Sequence, residues 1–147
     1  MEPQEKTSHE RAVLSLNSRF YQAFATRDLE LMDEIWGPSE PIACIHPGWT
    51  TLLGRNEVMA SWKGILSNTK APNIKCLSPK VHLLGPMAFV TCIELIGELA
   101  LTATNVFRLE EGTWYLVHHH ASPLPSYAKV VPDASKSSDP DGTKMVH

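Results

Sequence analysis

The sequence predicts an α+β fold in which N-terminal helices pack on one face of an antiparallel sheet. Apolar residues recur at helical spacing through the first half of the chain, whereas extended apolar runs replace that spacing from Ile74 onward. The turn signals Gly85-Pro86 and Glu111-Gly112 separate these runs, so consecutive strands are predicted to pair antiparallel. Helices followed by strands are typical of α+β domains, and 147 residues suffice for one domain with a core.

Three helices are predicted before the strands. Thr7 and Glu10 form a Thr-x-x-Glu capping box, which places the start of the first helix there and its end near Ala25. Asp28 and Asn56 are the predicted N-caps of the second and third helices. The apolar stripes of the three helices are Val13, Leu16, Phe20 and Phe24, then Leu29, Met32 and Trp36, then Val58, Trp62 and Ile65.

Five strands are predicted, one before the third helix and four after it. A short buried strand covers residues 42–45 and stops at Pro47-Gly48. Four longer strands follow in "IKCLSPKVHLLG", with a bulge expected at Pro79, "MAFVTCIELIGELA", "LTATNVFRLEEG" and "TWYLVHHHASP". The composition then turns polar and rich in Ser, Asp and Pro. We therefore predict one domain over residues 1–127 and a flexible polar tail over residues 128–147.

Charge and composition exclude several classes of partner. The formal net charge is −3 without a Lys/Arg block, which argues against nucleic acid or an anionic membrane as the main partner. No apolar run is long enough to span a bilayer, and "MEPQEKTSHE" lacks the hydrophobic core of a signal peptide. The sequence contains no Gly-rich phosphate-binding loop, and we predict no cofactor. The widely spaced cysteines, Cys44, Cys76 and Cys92, favour reduced core thiols and a cytoplasmic protein.

Several stretches carry a resemblance to a known superfamily. "FYQAFATRDLELMDEIW", "CIHPGWTTLLGRNEVMASWKGI", "VHLLG" and "TNVFRLEEGTWYLVHHHASP" resemble the NTF2-like superfamily, also called the SnoaL-like or ketosteroid-isomerase-like fold. The second half is also similar to the association domain of calcium/calmodulin-dependent protein kinase II. The resemblance implies a sheet curved around the helices into a cone, a pocket at its open end and a homodimer through the outer sheet face. The fold hosts many activities, so it does not select one.

His46 is the candidate catalytic base. In the isomerase branch that the sequence resembles, an Asp before a Pro at the end of the first strand is the base, and His46 takes that place in "ACIHPGW". A neutral imidazole can accept a proton near neutral pH, since its unperturbed pKa is ~6.5. The alternative is that His46 lies at the rim and is hydrogen-bonded to a loop carbonyl.

The other residues of the isomerase site have no clear counterparts in this chain. The tyrosine of the isomerase oxyanion hole aligns with Phe20, and Tyr21 is expected to point elsewhere on the helix. Glu94 is expected to be solvated or paired across strands.

The run of three histidines divides between the two sheet faces. Neighbours in a strand point to opposite faces, so His118 and His120 share one face and His119 occupies the other. A metal site at His118 and His120 would need a third ligand such as His82, and we predict no metal. His118 and His120 are instead predicted to be structural, on the outer face. By resemblance to the association domain, Ala121 faces the pocket, and His119 then faces it as well.

The predicted pocket combines a few polar groups with aromatic walls. His46, Asn105 and His119 supply the polar contacts, and Trp49, Trp62 and Phe20 supply the walls of a site for a small apolar ligand. The association domain lines its pocket with arginines where this chain has Asn105 and Ala121, so binding of a small carboxylate is not expected. A Cys44–His46 nucleophile is disfavoured, because side chains two apart on a strand start about 6.5 Å from each other.

Two classes of function remain open from the sequence. One is an isomerase, cyclase or hydratase with His46 as the base and Asn105 or His119 steadying the developing oxyanion. The other is a non-enzymatic dimerisation or protein-interaction module. The incomplete catalytic set and the similarity to the association domain motivate the second class.

Overall fold

A computed structural model describes residues 1–70 and 73–125, so the tail predicted at residues 128–147 lies outside the described residues. The helices are α1 (Pro3–Thr26), α2 (Leu29–Ile35) and α3 (Arg55–Leu66). The strands are β1 (Ala43–Ile45), β2 (Leu52–Leu53), β3 (Ile74–Leu84), β4 (Met87–Ile96), β5 (Leu99–Glu110) and β6 (Thr113–Pro123). None of the described helices is both long and apolar enough to cross a membrane.

Two of the three predicted helix starts are corrected. α1 begins at Pro3 rather than Thr7, because proline suits the first turn, where its missing N–H is not needed. The Thr7 hydroxyl donates to the Pro3 carbonyl at 3.0 Å and so lies inside the helix. α3 begins after Gly54, which has a φ of 88°, and Asn56 does not cap it. The Asp28 cap of α2 is confirmed by a 3.0 Å bond from the backbone N–H of Leu31.

The strands form one sheet in the order β2-β1-β6-β5-β4-β3. β3 to β6 pair antiparallel, as predicted, but β1 lies parallel to β6, because α3 and four strands separate them in the chain. The two-residue strand β2 was not predicted, since it is too short to show a period. The predicted long second strand ends at Ile96, where Gly97 turns the chain with a φ of 62°. The predicted bulge lies between Leu77 and Lys80.

The core fills the space between the helices and the inner sheet face. Buried and half-exposed residues alternate along β4, so that Ala88, Val90 and Cys92 face inward while Phe89 and Ile93 lie on the half-exposed outer face. The helices contribute Val13, Phe20, Met32, Val58 and Trp62 to this core. The architecture therefore confirms the predicted α+β fold and leaves polar side chains of the inner face deep in the cone.

Candidate functional site

A tight turn presents His46 at the end of β1. The backbone N–H of Trp49 donates to the His46 carbonyl at 2.9 Å, which closes the turn. Pro47 supplies its second residue and Gly48, with a φ of 83°, its third, as in a type II turn. The imidazole of His46 is only 3 % exposed. Burial lowers its pKa to about 4, so the ring is neutral at physiological pH.

Helix α3 orients the His46 ring through Ser61. His46 Nε2 lies 2.9 Å from Ser61 Oγ, and the Ser61 hydroxyl donates to the Val58 carbonyl at 2.6 Å. A hydroxyl has one hydrogen, and that of Ser61 is donated to the Val58 carbonyl. The Ser61 oxygen therefore accepts a hydrogen bond from the Nε2–H of His46. The lone pair of the imidazole is therefore on Nδ1, and this nitrogen is the basic one.

The aromatic residues predicted for the pocket lie together around His46. The ring centroid of His46 is 4.8 Å from those of Trp49 and Trp62, in edge-on contacts. Phe20 lies 5.5 Å from Trp62 and 5.0 Å from His119 by the same measure. Trp62 and Phe20 are fully buried, whereas Trp49 is 47 % exposed and covers His46 from outside. These five residues form one ring cluster, in which Trp49 is the exposed member.

A chain of amides holds His119 beneath the ring cluster. His119 Nδ1 lies 2.5 Å from Asn105 Oδ1, and the Asn105 amide donates to Asn17 Oδ1 at 2.8 Å and to the Tyr21 hydroxyl at 3.1 Å. Because Asn105 Oδ1 accepts, His119 carries its hydrogen on Nδ1 and its lone pair on Nε2. Burial, together with the charge of His46 when protonated, lowers the pKa of His119 to about 3. His119 is therefore neutral.

Tyr21 and Glu94 complete the buried polar network, and sequence reasoning missed both. The Tyr21 hydroxyl donates to Glu94 Oε2 at 2.6 Å, and Glu94 is 1 % exposed. Burial raises the pKa of Glu94, although the bond from Tyr21 acts against that rise. His119 Nε2 lies 3.8 Å from Glu94 Oε2. Burial lowers the pKa of His119 and raises that of Glu94, and both shifts disfavour an ion pair between them.

Both expectations about Tyr21 and Glu94 are therefore wrong. Tyr21 follows Asn17 by four positions, so both lie on the buried stripe of α1 that also contains Val13. Glu94 has the same strand parity as Val90 and Cys92, which face the core. The helical period of α1 and the strand period of β4 were the signals available in the sequence. For Glu94, the strand period had to outweigh the usual preference of a carboxylate for solvent.

Cys44 lies closer to His46 than strand spacing suggested. Its sulfur is 3.7 Å from Nε2 and 3.9 Å from Nδ1 of the imidazole. Burial raises the pKa of the Cys44 thiol to about 12, so the thiol stays protonated. Only a thiolate is an effective nucleophile, and Cys44 is therefore part of the packing around His46.

The other two histidines of the run lie on the opposite face from His119. His118 is half-buried, with Nδ1 3.0 Å from the Ala43 carbonyl, and His120 is exposed. Their ring centroids are 6.3 Å apart. Within residues 1–70 and 73–125, no group of three or more His, Cys, Asp or Glu side chains is placed to hold a metal ion.

The curved sheet with three helices on its inner face, and a buried polar cluster between them, defines the NTF2-like class of α+β cone folds. The profile of the SnoaL-like domain family matches residues 13–126, and the chain belongs to this family.

Three similar proteins illustrate the range of proteins that this chain resembles. An NTF2-like protein of Streptomyces avermitilis, proposed to be a dehydratase, is 32% identical with a TM-score of 0.72, covering 82% of this chain and 99% of its own. A Thiobacillus denitrificans protein, proposed to be a calcium/calmodulin-dependent protein kinase type II association domain, is 32% identical with a TM-score of 0.66, covering 75% and 93%. The F-box protein SKIP8 of Arabidopsis thaliana is 32% identical over 115 residues, 76% of this chain but only 49% of that protein.

Proposed function

We propose that this domain binds a small apolar molecule at the ring cluster and transfers a proton from carbon, with His46 as the base. The observation that carries the proposal is the neutral, buried His46 whose lone pair is fixed on Nδ1 by Ser61. A pKa of about 4 leaves His46 unprotonated at neutral pH but makes it a weak base, so removal of a C–H proton next to a carbonyl depends on stabilising the charge that moves onto oxygen. Isomerisation and loss of water can begin with such a step, and addition of water is the reverse of the latter.

The neighbouring residues take supporting roles in this proposal. Trp49, Trp62 and Phe20 form the apolar walls, and His119 Nε2 accepts a hydrogen bond from a ligand. Asn105 has no free N–H, because its two amide hydrogens bond Asn17 and Tyr21. Asn105 is thus proposed to position His119 rather than to steady an oxyanion. The Streptomyces avermitilis relative favours hydration or dehydration within this class of reactions.

Proton exchange in deuterated buffer tests the proposed activity without knowledge of the natural substrate. Acetophenone has exchangeable hydrogens beside its carbonyl, and their loss is followed by proton NMR. We expect the protein to accelerate this loss above the buffer rate, and we expect the acceleration to require the side chain of His46. Exchange at the buffer rate, for acetophenone and for a panel of larger neutral ketones, would contradict the proposal.

Ser61→Ala is expected to lower the rate of exchange by about 5- to 20-fold without unfolding the domain. The expected cause is a change of tautomer, since the Nε2–H of His46 loses the acceptor that holds it, at a cost of about 1 kcal/mol or more. Nitrogen NMR of the imidazole reports the tautomer directly: wild type is expected as Nε2–H and Ser61→Ala as a mixture. Ser61→Thr keeps the hydroxyl and is expected to restore both the tautomer and the rate. An unchanged tautomer in Ser61→Ala would remove Ser61 from this role.

We also propose that the domain is a cytoplasmic homodimer that pairs through the outer sheet face. Phe89, Ile93 and Val106 are half-exposed there, and the three free thiols support a reducing compartment. The similarity to a proposed kinase association domain also supports a second function as an assembly module. A native mass spectrum is expected to show a dimer in wild type and a monomer in Ile93→Glu. A wild-type monomer would contradict the pairing, and a retained organic mass would favour the ligand site over the module.

A further inference from the structure

Two buried indole N–H groups in residues 1–70 and 73–125 have no hydrogen-bond acceptor, those of Trp36 and Trp62. Trp62 is fully buried and packs on His46, Phe20 and Phe24. Trp36 is also buried, but no ring contact joins it to the ring cluster in the described part of the chain. Buried donors without a partner are rare in proteins and ask for an explanation. Only Trp62 lies where a ligand of the proposed site would supply the acceptor.

The other buried N–H and O–H donors around the ring cluster already have acceptors. Asn105 uses its amide hydrogens on Asn17 and Tyr21. Three further donors also have acceptors: His119 donates to Asn105, Tyr21 donates to Glu94, and His46 donates to Ser61. Trp49 also stacks on His46, but it is 47 % exposed and its N–H can reach solvent. The N–H of Trp62 is thus the buried donor without an acceptor that packs against His46.

The cluster also offers no charge to a ligand. Among the described residues, none of the side chains that hydrogen-bond to it or stack on it is a lysine or arginine. Burial lowers the pKa of His46 to about 4 and that of His119 to about 3, and it raises the pKa of Glu94, so each shift favours the uncharged form. A carboxylate or an ammonium would lose its hydration here without gaining a counter-charge, which strongly disfavours its entry. These features favour a neutral ligand.

We infer that the indole N–H of Trp62 donates a hydrogen bond to the carbonyl oxygen of a neutral ketone or aldehyde bound against His46. This role rests on the proposed function of the same site. When His46 Nδ1 takes the proton from the neighbouring carbon, the C–H electron pair forms the carbon–carbon double bond. The carbonyl π pair moves onto the oxygen, and the Trp62 N–H then faces the charge that develops there. The proton remains on His46 until it returns to carbon or passes to a leaving hydroxyl.

Acetophenone labelled with ¹³C at its carbonyl tests the bond, and benzoate serves as its charged counterpart of similar shape. Infrared spectroscopy is expected to show a lowered carbonyl stretch in the bound state. Trp62→Phe is expected to raise the Kd of acetophenone about 5- to 10-fold, as loss of one hydrogen bond implies, and to return the stretch toward its value in apolar solvent. The matched control Trp36→Phe also removes an unpartnered buried N–H and should change neither. Benzoate is expected to bind at least about 10-fold more weakly at pH 7.

A carbonyl stretch that stays lowered in Trp62→Phe but recovers in Glu94→Leu would overturn the assignment in favour of the Glu94 acid hydrogen. Benzoate binding as tightly as acetophenone would overturn the neutral ligand class, as would the absence of any acetophenone binding. Should Trp62→Phe fold poorly, benzothienylalanine at position 62 replaces the N–H by sulfur and keeps the ring size. His46→Gln separates this role from the proposed reaction, because it should abolish proton exchange and leave the infrared shift intact.

Discussion

Replacing His46 with glutamine is expected to reduce the catalysed exchange of ketone hydrogens by about 10²- to 10⁴-fold, the contribution usual for a positioned general base. Glutamine approximates the size of the imidazole and can still donate to Ser61, but it offers no basic nitrogen. Packing against Trp49 and Trp62 should thus survive while the chemistry is lost. The initial rate of deuterium incorporation, measured with the same protein concentration for both forms, gives the ratio.

The pH profile of the exchange rate adds a signature that misfolding would not reproduce. His46 is active when unprotonated, and burial lowers its pKa to about 4. The second-order rate constant is therefore expected to be flat above about pH 5 and to fall tenfold per pH unit well below pH 4. A break near the ordinary imidazole value of ~6.5 would indicate a solvated histidine as the base instead. A His46→Gln variant that exchanges as fast as wild type would remove His46 from the reaction altogether.

Asn105→Leu is expected to lower the free energy of unfolding by about 3 to 6 kcal/mol, a large part of the stability of a domain this size. Leucine has the same branched shape and is somewhat larger, so the cost arises from lost hydrogen bonds and some overpacking rather than from a cavity. The change leaves the Nδ1–H of His119, the Oδ1 of Asn17 and one lone pair of Tyr21 without partners in a buried site. Each such orphaned group costs about 1–3 kcal/mol. Urea denaturation measures the loss as a lower midpoint at unchanged slope.

Thr102→Ala is the matched control for the loss of a polar side chain from β5, because Thr102 is exposed on the opposite sheet face. Its expected effect is within about 0.5 kcal/mol. A midpoint for Asn105→Leu that equals the wild-type midpoint would mean that the amide chain from Asn17 to His119 adds nothing to stability. The variant also allows the imidazole of His119 to rotate, and loss of its defined nitrogen NMR tautomer should accompany the loss of stability.

Much of the domain was predictable from local periodicity. The apolar stripe of α1, the cap at Asp28 and the hairpin turn at Glu111-Gly112 are each encoded within a few residues, because helix and strand periods need only near neighbours. The alternation of strand side chains likewise placed His119 on the face opposite His118 and His120. The clustering of His46, Trp62 and His119 was predictable through family resemblance, which carries long-range information that composition does not.

The α+β class and the order of the elements follow from local patterns in the sequence, and the resemblance to the association domain adds the inward position of His119. Which polar groups meet depends on the tertiary structure. Tyr21 and Glu94 are 73 positions apart, and α1 has to pack on β4 before a helix hydroxyl can satisfy a buried carboxyl. The tautomer of His46 likewise depends on Ser61 from α3, and the buried N–H of Trp62 is seen to lack an acceptor only in the packed core. Such pairings depend on distances across the core, which local patterns of hydrophobicity do not contain.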